Sequence, residues 1–282
     1  MTKEIIEVTS PDGTRNHGIL VFPPGQPPFP GILAVHGGMG GWSEQELSLH
    51  ASEKLPGRLA REGYAVLVCD YRHLSLGLGD VQDTVAAYRT LCADARIDAK
   101  RVALVGCSHG GVNSLLASTQ IRPKCIVAEE AQSDFLEGWE ILQDLVRRSS
   151  EPLPPHFKMD PGLCTSKPLA QYARMDQELW AELCGRLGGL PTEVPEAFIA
   201  VSPYTKVQQI HSPLLILSGD SNYRPSSVKM HGAMLGAGKI CELRLYDNAP
   251  HAFLWNGASI PATEEAFRDL CDFLRRHLVG CA

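Results

Sequence analysis

The stretch Val105-Gly106-Cys107-Ser108-His109-Gly110-Gly111 follows the apolar run 101–107 and opens a segment, VNSLLAST, that can continue as a helix. It matches the pattern G-x-S-x-G, which gains its meaning from a strand–turn–helix context of this kind. Small residues at positions 106 and 110 allow the strand and the helix to approach each other closely. We therefore expect Ser108 to lie at a sharp, strained turn, with its hydroxyl above a sheet; the alternative is an ordinary turn serine.

Short apolar runs alternate with helical segments on both sides of this turn. The central runs (ILAVH, AVLVCD, VALVGC, CIVAEE, LLILSG) are almost continuously apolar, which is typical of strands buried on both faces. The alternation predicts an α/β fold with a mostly parallel central sheet of about eight strands flanked by helices, and ligands at the carboxyl ends of the strands. The candidate strands are Glu4–Val8, His17–Phe22, Gly31–His36, Tyr64–Asp70, Arg101–Cys107, Lys124–Glu129, Pro213–Ser218 and Ile240–Tyr246, and the candidate helices are Glu44–Glu62, Asp80–Asp94 and Thr263–Leu278.

Residues 134–207 interrupt this alternation. They contain two candidate helices, Asp134–Arg148 and Leu169–Leu187, joined by the proline-rich link EPLPPHFKMDPG. We interpret this segment as a helical cap inserted into one domain whose core is residues 1–133 and 208–282, because about 70 residues interrupted by prolines form a marginal core alone. The aromatic residues of the cap either line a substrate pocket or dock the cap on the core; they are Phe135, Trp139, Phe157 and Trp180.

Composition excludes several classes of protein. The formal net charge of −6 gives no electrostatic footprint for nucleic acid or for an anionic membrane surface. No apolar run reaches the ~18 residues of a membrane span, and the N-terminus does not resemble a secretory signal. The nine cysteines are odd in number and none are spaced as CxxC, so neither a disulfide framework nor a zinc site is indicated. We predict a cytoplasmic protein that uses no metal or other cofactor.

The exposed hydroxyl makes Ser108 a candidate nucleophile, and a serine nucleophile needs a base within hydrogen-bond reach. Of the ten histidines, His251 lies in YDNAPHAF, between the last candidate strand and the final helix. That loop leaves the sheet at the edge where Ser108 is expected, which makes His251 the candidate base, although it is otherwise an ordinary loop histidine. His36 ends an earlier strand before two glycines and is expected to shape a turn.

The segment His36-Gly37-Gly38-Met39-Gly40-Gly41 is a glycine-rich turn after a strand. Such a turn exposes backbone N–H groups to a substrate oxygen, and we expect the amides of Gly38 and His109 to form an oxyanion hole. A phosphate-binding loop is the rival interpretation. The segment has neither the G-x-x-x-x-G-K-[ST] nor the G-x-G-x-x-G spacing, which disfavours a nucleotide site.

Together these segments resemble the α/β-hydrolase superfamily, and more narrowly its dienelactone-hydrolase and prolyl-oligopeptidase-type branch. The resemblance rests on HGG at 36–38, GYAVLVCDYR at 63–72, RVALVGCSHGG at 101–111, SPYTKVQQIHSPLLILSGDSNYRP at 202–225 and YDNAPHAF at 246–253. It implies an α/β-hydrolase fold and a serine hydrolase whose triad follows the order nucleophile, acid, histidine.

In that branch the acid is an aspartate three residues after a glycine, but here Asn222 stands at that spacing from Gly219. We expect Asp220, which leaves the same strand end, to supply the carboxylate; its alternative role is to cap the turn. Glu130, after the strand Lys124–Glu129, is a second candidate because some α/β-hydrolases take their acid from that position. Asp247 is a further candidate, and a degenerate triad is the remaining alternative.

The predicted activity is hydrolysis of a carboxylic ester or related acyl compound through an acyl-enzyme on Ser108, with Asp220 and His251 completing the triad. The alternative within enzymes is a peptidase or amidase of the prolyl-oligopeptidase type. From another class, the fold can also serve a non-hydrolytic binding protein, a cyclase or a lyase. The expected partners are a small acyl substrate and a second copy of the chain in a homodimer.

Overall fold

The computed structural model describes residues 1–73, 75, 77–147 and 180–279, and within them an α/β fold built on one eight-stranded sheet. Each of the eight predicted strands is present, with ends that differ by a few residues at most. Their bounds are β1 Thr2–Thr9, β2 Arg15–Phe22, β3 Phe29–Val35, β4 Ala65–Cys69, β5 Ile97–Cys107, β6 Ile126–Glu129, β7 Leu214–Ser218 and β8 Cys241–Leu245.

The strands lie in the order β1-β2-β4-β3-β5-β6-β7-β8. The first two are antiparallel to their neighbours, and the remaining six run parallel, as the continuously apolar runs predicted. Cys107 pairs with Glu129 across β5 and β6, and Glu129 with Leu217 across β6 and β7. The loops after these three strands therefore leave the same edge of the sheet.

Helices cover both faces. The predicted helix Glu44–Glu62 is divided in two, because Lys54 is extended and Pro56 has no N–H to continue the hydrogen-bond ladder. The helices are α1 Glu44–Glu53, α2 Leu55–Arg61, α3 Gly79–Ala93, α4 His109–Ala117, α5 Phe135–Arg147, α6 at 180–187, α7 Pro195–Val201, α8 Arg224–Gly236, α9 Phe253–Asn256 and α10 Pro261–Leu274, with a 3-10 helix at Pro203–Gln209 and a π turn at Arg275–Val279. None of the described helices is long and apolar enough to cross a membrane.

The two faces of the sheet bury separate apolar clusters. One joins the sheet to α3, α4, α5 and α6 and includes Leu33, Leu104, Leu115 and Trp180. The other joins it to α1, α2, α9 and α10 and includes Val105, Cys107 and Trp255. Because successive strand residues face opposite sides, both clusters draw on β5, which explains why that strand is apolar throughout its second half.

The predicted cap contributes α5, α6 and α7 to the described structure. Asp134 Oδ1 accepts the Leu136 amide at 3.0 Å at the start of α5, and Ser202 Oγ accepts the Phe135 amide at 3.0 Å. Trp180 stacks on Phe198 with centroids 6.1 Å apart, so α6 packs on α7. The proline-rich link, Phe157 and the first part of Leu169–Leu187 lie outside the described residues. The division into core and cap stays a prediction.

Candidate active site

Ser108 occupies the turn between β5 and α4. Its backbone is in a sparsely populated region, φ 53° and ψ −122°, and its amide donates to the Glu129 carbonyl at 2.7 Å. Glycine is required at positions 106 and 110, because the backbone of other segments approaches both residues closely. A Cβ at Gly106 would lie 2.3 Å from the Gly110 carbonyl oxygen, and one at Gly110 would lie 2.1 Å from that of Val35. The strained turn predicted from the sequence is therefore present at this serine.

His251 lies in the loop between β8 and α9, with the side chain mostly buried. Its Nδ1 is 2.9 Å from Oε2 of Glu130, whose side chain is fully buried. The Tyr223 ring stacks on the imidazole, with centroids 4.5 Å apart and an interplanar angle of 27°. Sequence reasoning did not single out Tyr223, since an aromatic residue one position after Asn222 carries no pattern of its own.

The carboxylate of Glu130 is held by three hydrogen bonds from two loops, one after β7 and one after β8. Oε1 accepts the Gly219 amide at 3.0 Å and the Ser221 hydroxyl at 2.6 Å, and Oε2 accepts the Ala252 amide at 2.8 Å. Because these oxygens act as acceptors, a hydrogen bond between Glu130 and His251 requires the proton on Nδ1.

The expectation that Asp220 pairs with His251 is corrected by this geometry. Asp220 Oδ2 faces the Asn248 amide at 3.4 Å, and Oδ1 lies 3.7 Å from the guanidinium of Arg224. Its backbone amide donates to the Ala249 carbonyl, which fixes the turn after β7. Asp220 thus stabilises the turn after β7, the alternative role considered for it. Glu130, the second candidate for the acid, lies beside His251.

A left-handed backbone at Glu130 explains why this residue, and not Asp220, lies beside His251. Its φ is 49°, so the chain turns sharply at the end of β6 and sends the side chain under the loop that carries His251. Nothing in the residue types on either side of position 130 indicates that conformation. The sequence signal that was available is a pair of glutamates at the end of a buried apolar strand, where a carboxylate needs specific partners.

Gly38 and His109, the two residues expected to form the oxyanion hole, line one cavity with Ser108. His109 is the first residue of α4, so its N–H has no partner within the helix. Gly38 has a φ of 82°, which favours glycine, and lines the same cavity as Ser108 and His109. The position of each amide along the chain agrees with the oxyanion-hole prediction, and the role itself stays a prediction.

Tyr71 and His36 support the Gly38 turn from below. The Tyr71 hydroxyl lies 3.0 Å from the His36 carbonyl and 2.9 Å from the Gly38 carbonyl. The His36 ring is buried between Tyr71 and Trp42, with Nδ1 2.9 Å from the Gly37 carbonyl and Nε2 3.2 Å from Asp70. The expected turn-shaping role of His36 is thus matched by its contacts, whereas Tyr71 was missed because its hydroxyl acts across a distant loop.

The side chain of His109 has a partner of its own. Its Nε2 lies 2.5 Å from Oδ2 of the buried Asp80, whose Oδ1 accepts the amides of Gly77 and Val81 at 2.9 Å. Burial opposes the ionisation of Asp80, but these hydrogen bonds outweigh it and lower the pKa of the carboxyl group below its usual value. The ring is therefore anchored at the start of α3 while its backbone stays beside Ser108.

Two cavities meet at Ser108. The main cavity, about 760 Å³ including its opening to solvent, has a mostly apolar wall formed by α5 and α6 together with Gly38 and Ser108. Phe135 and Trp180 line it, as one of the two sequence interpretations proposed, while Trp139 packs against Trp180 with centroids 5.6 Å apart. The apolar part of the wall comprises Met39, Val112, Phe135, Ile141, Leu142, Trp180 and Leu183.

The second cavity, about 570 Å³ including its opening, contains His251 as well as Ser108. Trp42, His50 and Trp255 form its wall. Burial lowers the pKa of His50 to about 4, and its Nδ1 accepts a hydrogen bond from the Trp255 indole at 2.9 Å. This cavity therefore presents an aromatic, uncharged surface beside the histidine at neutral pH.

Over the described parts of the chain, no group of three or more histidine, cysteine, aspartate or glutamate side chains is arranged to hold a metal ion. The titratable groups gathered at this edge of the sheet are instead paired with one another or with backbone amides. Ser108 and His251 line one cavity and Glu130 lies beside His251; that they act as nucleophile, base and orienting acid stays a prediction.

Comparison with known proteins places this geometry in context. The human acylamino-acid-releasing enzyme is 24% identical over 280 residues, which cover 92% of this chain and 33% of that protein, so the chain spans about a third of the length of this relative. The uncharacterized peptidase YtmA of Bacillus subtilis (strain 168) is 24% identical over 229 residues, 76% of this chain and 72% of the relative.

Among solved structures, the thermophilic carboxylesterase EstE1 from a metagenomic library superposes with a TM-score of 0.71 at 17% identity, covering 98% of this chain and 89% of that one. The model of the alpha/beta hydrolase family matches residues 32–260, a span that contains Gly38, Ser108, Glu130 and His251. On this match over most of its length, the chain belongs to the alpha/beta hydrolase family.

Proposed function

We propose that the protein is a serine hydrolase that cleaves a carboxylic ester through an acyl-enzyme on Ser108. The observation that carries the proposal is the strained serine at the strand–helix turn, in one cavity with His251, whose other ring nitrogen is held by buried Glu130. A hydroxyl is a weak nucleophile at neutral pH, and a neighbouring imidazole oriented by a carboxylate is the arrangement that activates it.

In the first half of the reaction, Ser108 Oγ attacks the acyl carbonyl carbon and its proton passes to Nε2 of His251. The negative charge that forms on the carbonyl oxygen is accepted by the amides of Gly38 and His109. Glu130 stabilises the imidazolium through Nδ1. When the tetrahedral species collapses, the imidazolium gives its proton to the departing alcohol, and water then repeats these steps on the acyl-enzyme.

Each of the two cavities is suited to one part of the ester substrate. The departing alcohol takes its proton from His251, so it belongs in the cavity that contains that histidine, against Trp42 and Trp255. The acyl group then occupies the main cavity, whose described wall carries no carboxylate and no lysine or arginine. This arrangement favours an ester with an apolar, uncharged acyl group and a flat or aromatic alcohol.

A second candidate reaction is the release of an acylated amino-terminal residue from a peptide. It is favoured by the likeness to the human acylamino-acid-releasing enzyme and to the peptidase YtmA. Parallel turnover of p-nitrophenyl esters and N-acylaminoacyl p-nitroanilides separates the two candidates, because cleavage of an amide demands efficient protonation of the leaving amine. We expect the esters to be turned over faster.

The proposal is tested with an organophosphorus fluorophosphonate probe and intact-mass spectrometry. We expect one adduct per chain, located on Ser108 by peptide mapping and absent from Ser108→Ala. A probe that labels Ser108→Ala to the same extent, or a wild-type protein that takes no adduct while folded, would exclude the acyl-enzyme mechanism. The non-hydrolytic interpretations would gain if Ser108→Ala kept full function.

We also infer a cytoplasmic location. Six of the nine cysteines are free thiols and most of them are buried: Cys69, Cys92, Cys125, Cys184, Cys241 and Cys271. Free thiols in this number are typical of a reducing compartment. The acidic net charge is the reason for excluding nucleic acid as a partner. The homodimer stays a prediction.

A further inference from the structure

Two consecutive buried glutamates, Glu129 and Glu130, end β6, and both side chains reach the loop that carries His251. In a regular strand, neighbouring side chains point to opposite faces. Here Glu129 pairs with Cys107 of β5, a member of the apolar cluster that includes Trp255, while the positive φ of Glu130 redirects its side chain. Adjacent carboxylates are thus brought under one loop.

Glu129 makes contacts with both halves of the candidate machinery. Its carbonyl accepts the amide of Ser108 at 2.7 Å. Its Oε1 accepts the Leu254 amide at 2.8 Å, and its Oε2 accepts the Trp255 amide at 3.0 Å. These two amides lie just after His251 in the chain, and Glu130 accepts the amide of Ala252, the residue that directly follows the histidine. One residue, Glu129, therefore connects the turn of the nucleophile to the loop of the base.

We infer that Glu129 is a positioning residue for the proposed reaction: it fixes the loop of His251 relative to Ser108, and its ionised carboxylate stabilises the imidazolium formed on His251. Glu129 lines neither cavity, so it does not touch the substrate. The inference rests on the proposed function, because it needs His251 to take a proton during the reaction.

The charged groups around Glu129 determine the pH at which its carboxyl group ionises. The titratable groups that face it are Glu130 beside it, His251 from the loop after β8 and the Cys107 thiol from β5, while its neighbour on β7, Leu217, is apolar. Burial first, and then Glu130, raise the pKa of Glu129 to about 7. Its charge therefore changes in the pH range in which a histidine base titrates.

The experiment compares wild type with Glu129→Gln, which keeps the size of the side chain but has only one acceptor oxygen for two amides. We expect kcat for a p-nitrophenyl ester to fall about 10²-fold with KM nearly unchanged, since a misplaced base slows chemistry without weakening binding. The acidic limb of the kcat/KM profile should move to lower pH, because loss of a negative charge makes the imidazolium easier to deprotonate.

Glu264→Gln is the matched control. Glu264 is an exposed partner of Arg58 that lines neither cavity, and its variant should keep the wild-type rate and profile. If Glu129→Gln fails to fold, Glu129→Asp retains the charge on a shorter side chain, and its kcat should fall while the acidic limb stays in place. Thermal unfolding of each variant verifies the fold.

The rate at which the fluorophosphonate labels Ser108 separates the two proposals. Wild-type protein that takes no label contradicts the proposed function itself. Wild-type protein that is labelled, together with a folded Glu129→Gln that is labelled at the same rate or keeps the acidic limb of wild type, contradicts the inference about Glu129 alone. A slower labelling rate with a displaced limb supports it.

Discussion

Nδ1 of His251 lies 2.9 Å from Oε2 of Glu130, so the carboxylate beside the candidate base comes from the end of β6 and not from the end of β7. The carboxylate after β7, that of Asp220, faces the Asn248 amide and Arg224 instead. This relationship separates two residues that sequence alone left as rivals.

It follows that Glu130→Gln should lower kcat by about 10⁴-fold, the loss known for replacement of a triad aspartate by asparagine. The amide group of glutamine favours the wrong tautomer of His251, because it can present a donor where Nδ1–H needs an acceptor. Asp220→Asn is the matched control and should leave kcat unchanged. The measurement is steady-state ester hydrolysis, and a larger loss in Asp220→Asn than in Glu130→Gln would contradict the assignment.

Tyr71→Phe should lower kcat about tenfold while leaving KM close to wild type. The Tyr71 hydroxyl holds the carbonyls of His36 and Gly38, and without it the Gly38 amide is less well aimed at the developing oxyanion. The buried His36 carbonyl, left without this donor, should also cost about 1–3 kcal/mol of unfolding free energy. Tyr88→Phe is the control: the Tyr88 hydroxyl donates to the Arg122 carbonyl, Tyr88 lines neither cavity, and this variant should lose no activity.

Gly138→Ala should shift acyl-chain preference toward shorter esters. A Cβ at Gly138 would lie 2.9 Å from the Gln132 side chain and 3.0 Å from the Trp180 ring, so it pushes the wall of the main cavity inward. The measurement is kcat/KM across p-nitrophenyl esters of increasing acyl length. Gly185→Ala serves as control, because a Cβ there meets no atom of the described residues within 4 Å. Equal profiles for the two variants would contradict the placement of the acyl group in this cavity.

Stability should depend on pH through Glu129. Burial and Glu130 raise its pKa from 4.5 to about 7, so the folded protein holds this proton more tightly than the unfolded chain. Its contribution to the free energy of unfolding is therefore full below pH 4.5 and falls as the pH rises to 7, by about 3 kcal/mol. Burial lowers the pKa of His50, which has the opposite effect below pH 6.5.

Urea unfolding of wild type and Glu129→Gln between about pH 4 and 8 isolates this contribution, because His50 is present in both proteins. The difference in unfolding free energy, wild type minus variant, should decrease as the pH rises through that window. A difference that stays constant with pH would contradict the raised pKa.

Much of the framework could be predicted from local sequence. The continuous apolar runs indicated the strands and their parallel arrangement, since a run buried on both faces has few other stable positions. The glycines around Ser108 indicated the strained turn, because a Cβ at Gly106 would come within 2.3 Å of the Gly110 carbonyl oxygen. The division of Glu44–Glu62 into two helices was missed, although Pro56 carried the signal.

The sequence by itself determined where the chain turns at the edge of the sheet, and hence that Ser108, His251 and several carboxylates come to that edge. Only the tertiary structure decided which carboxylate reaches the histidine. Strand positions follow from burial averaged over many residues, whereas a hydrogen bond of 2.9 Å depends on single loop dihedrals such as φ 49° at Glu130. Those dihedrals are imposed by partners from distant segments, among them the amides of Gly219 and Ala252.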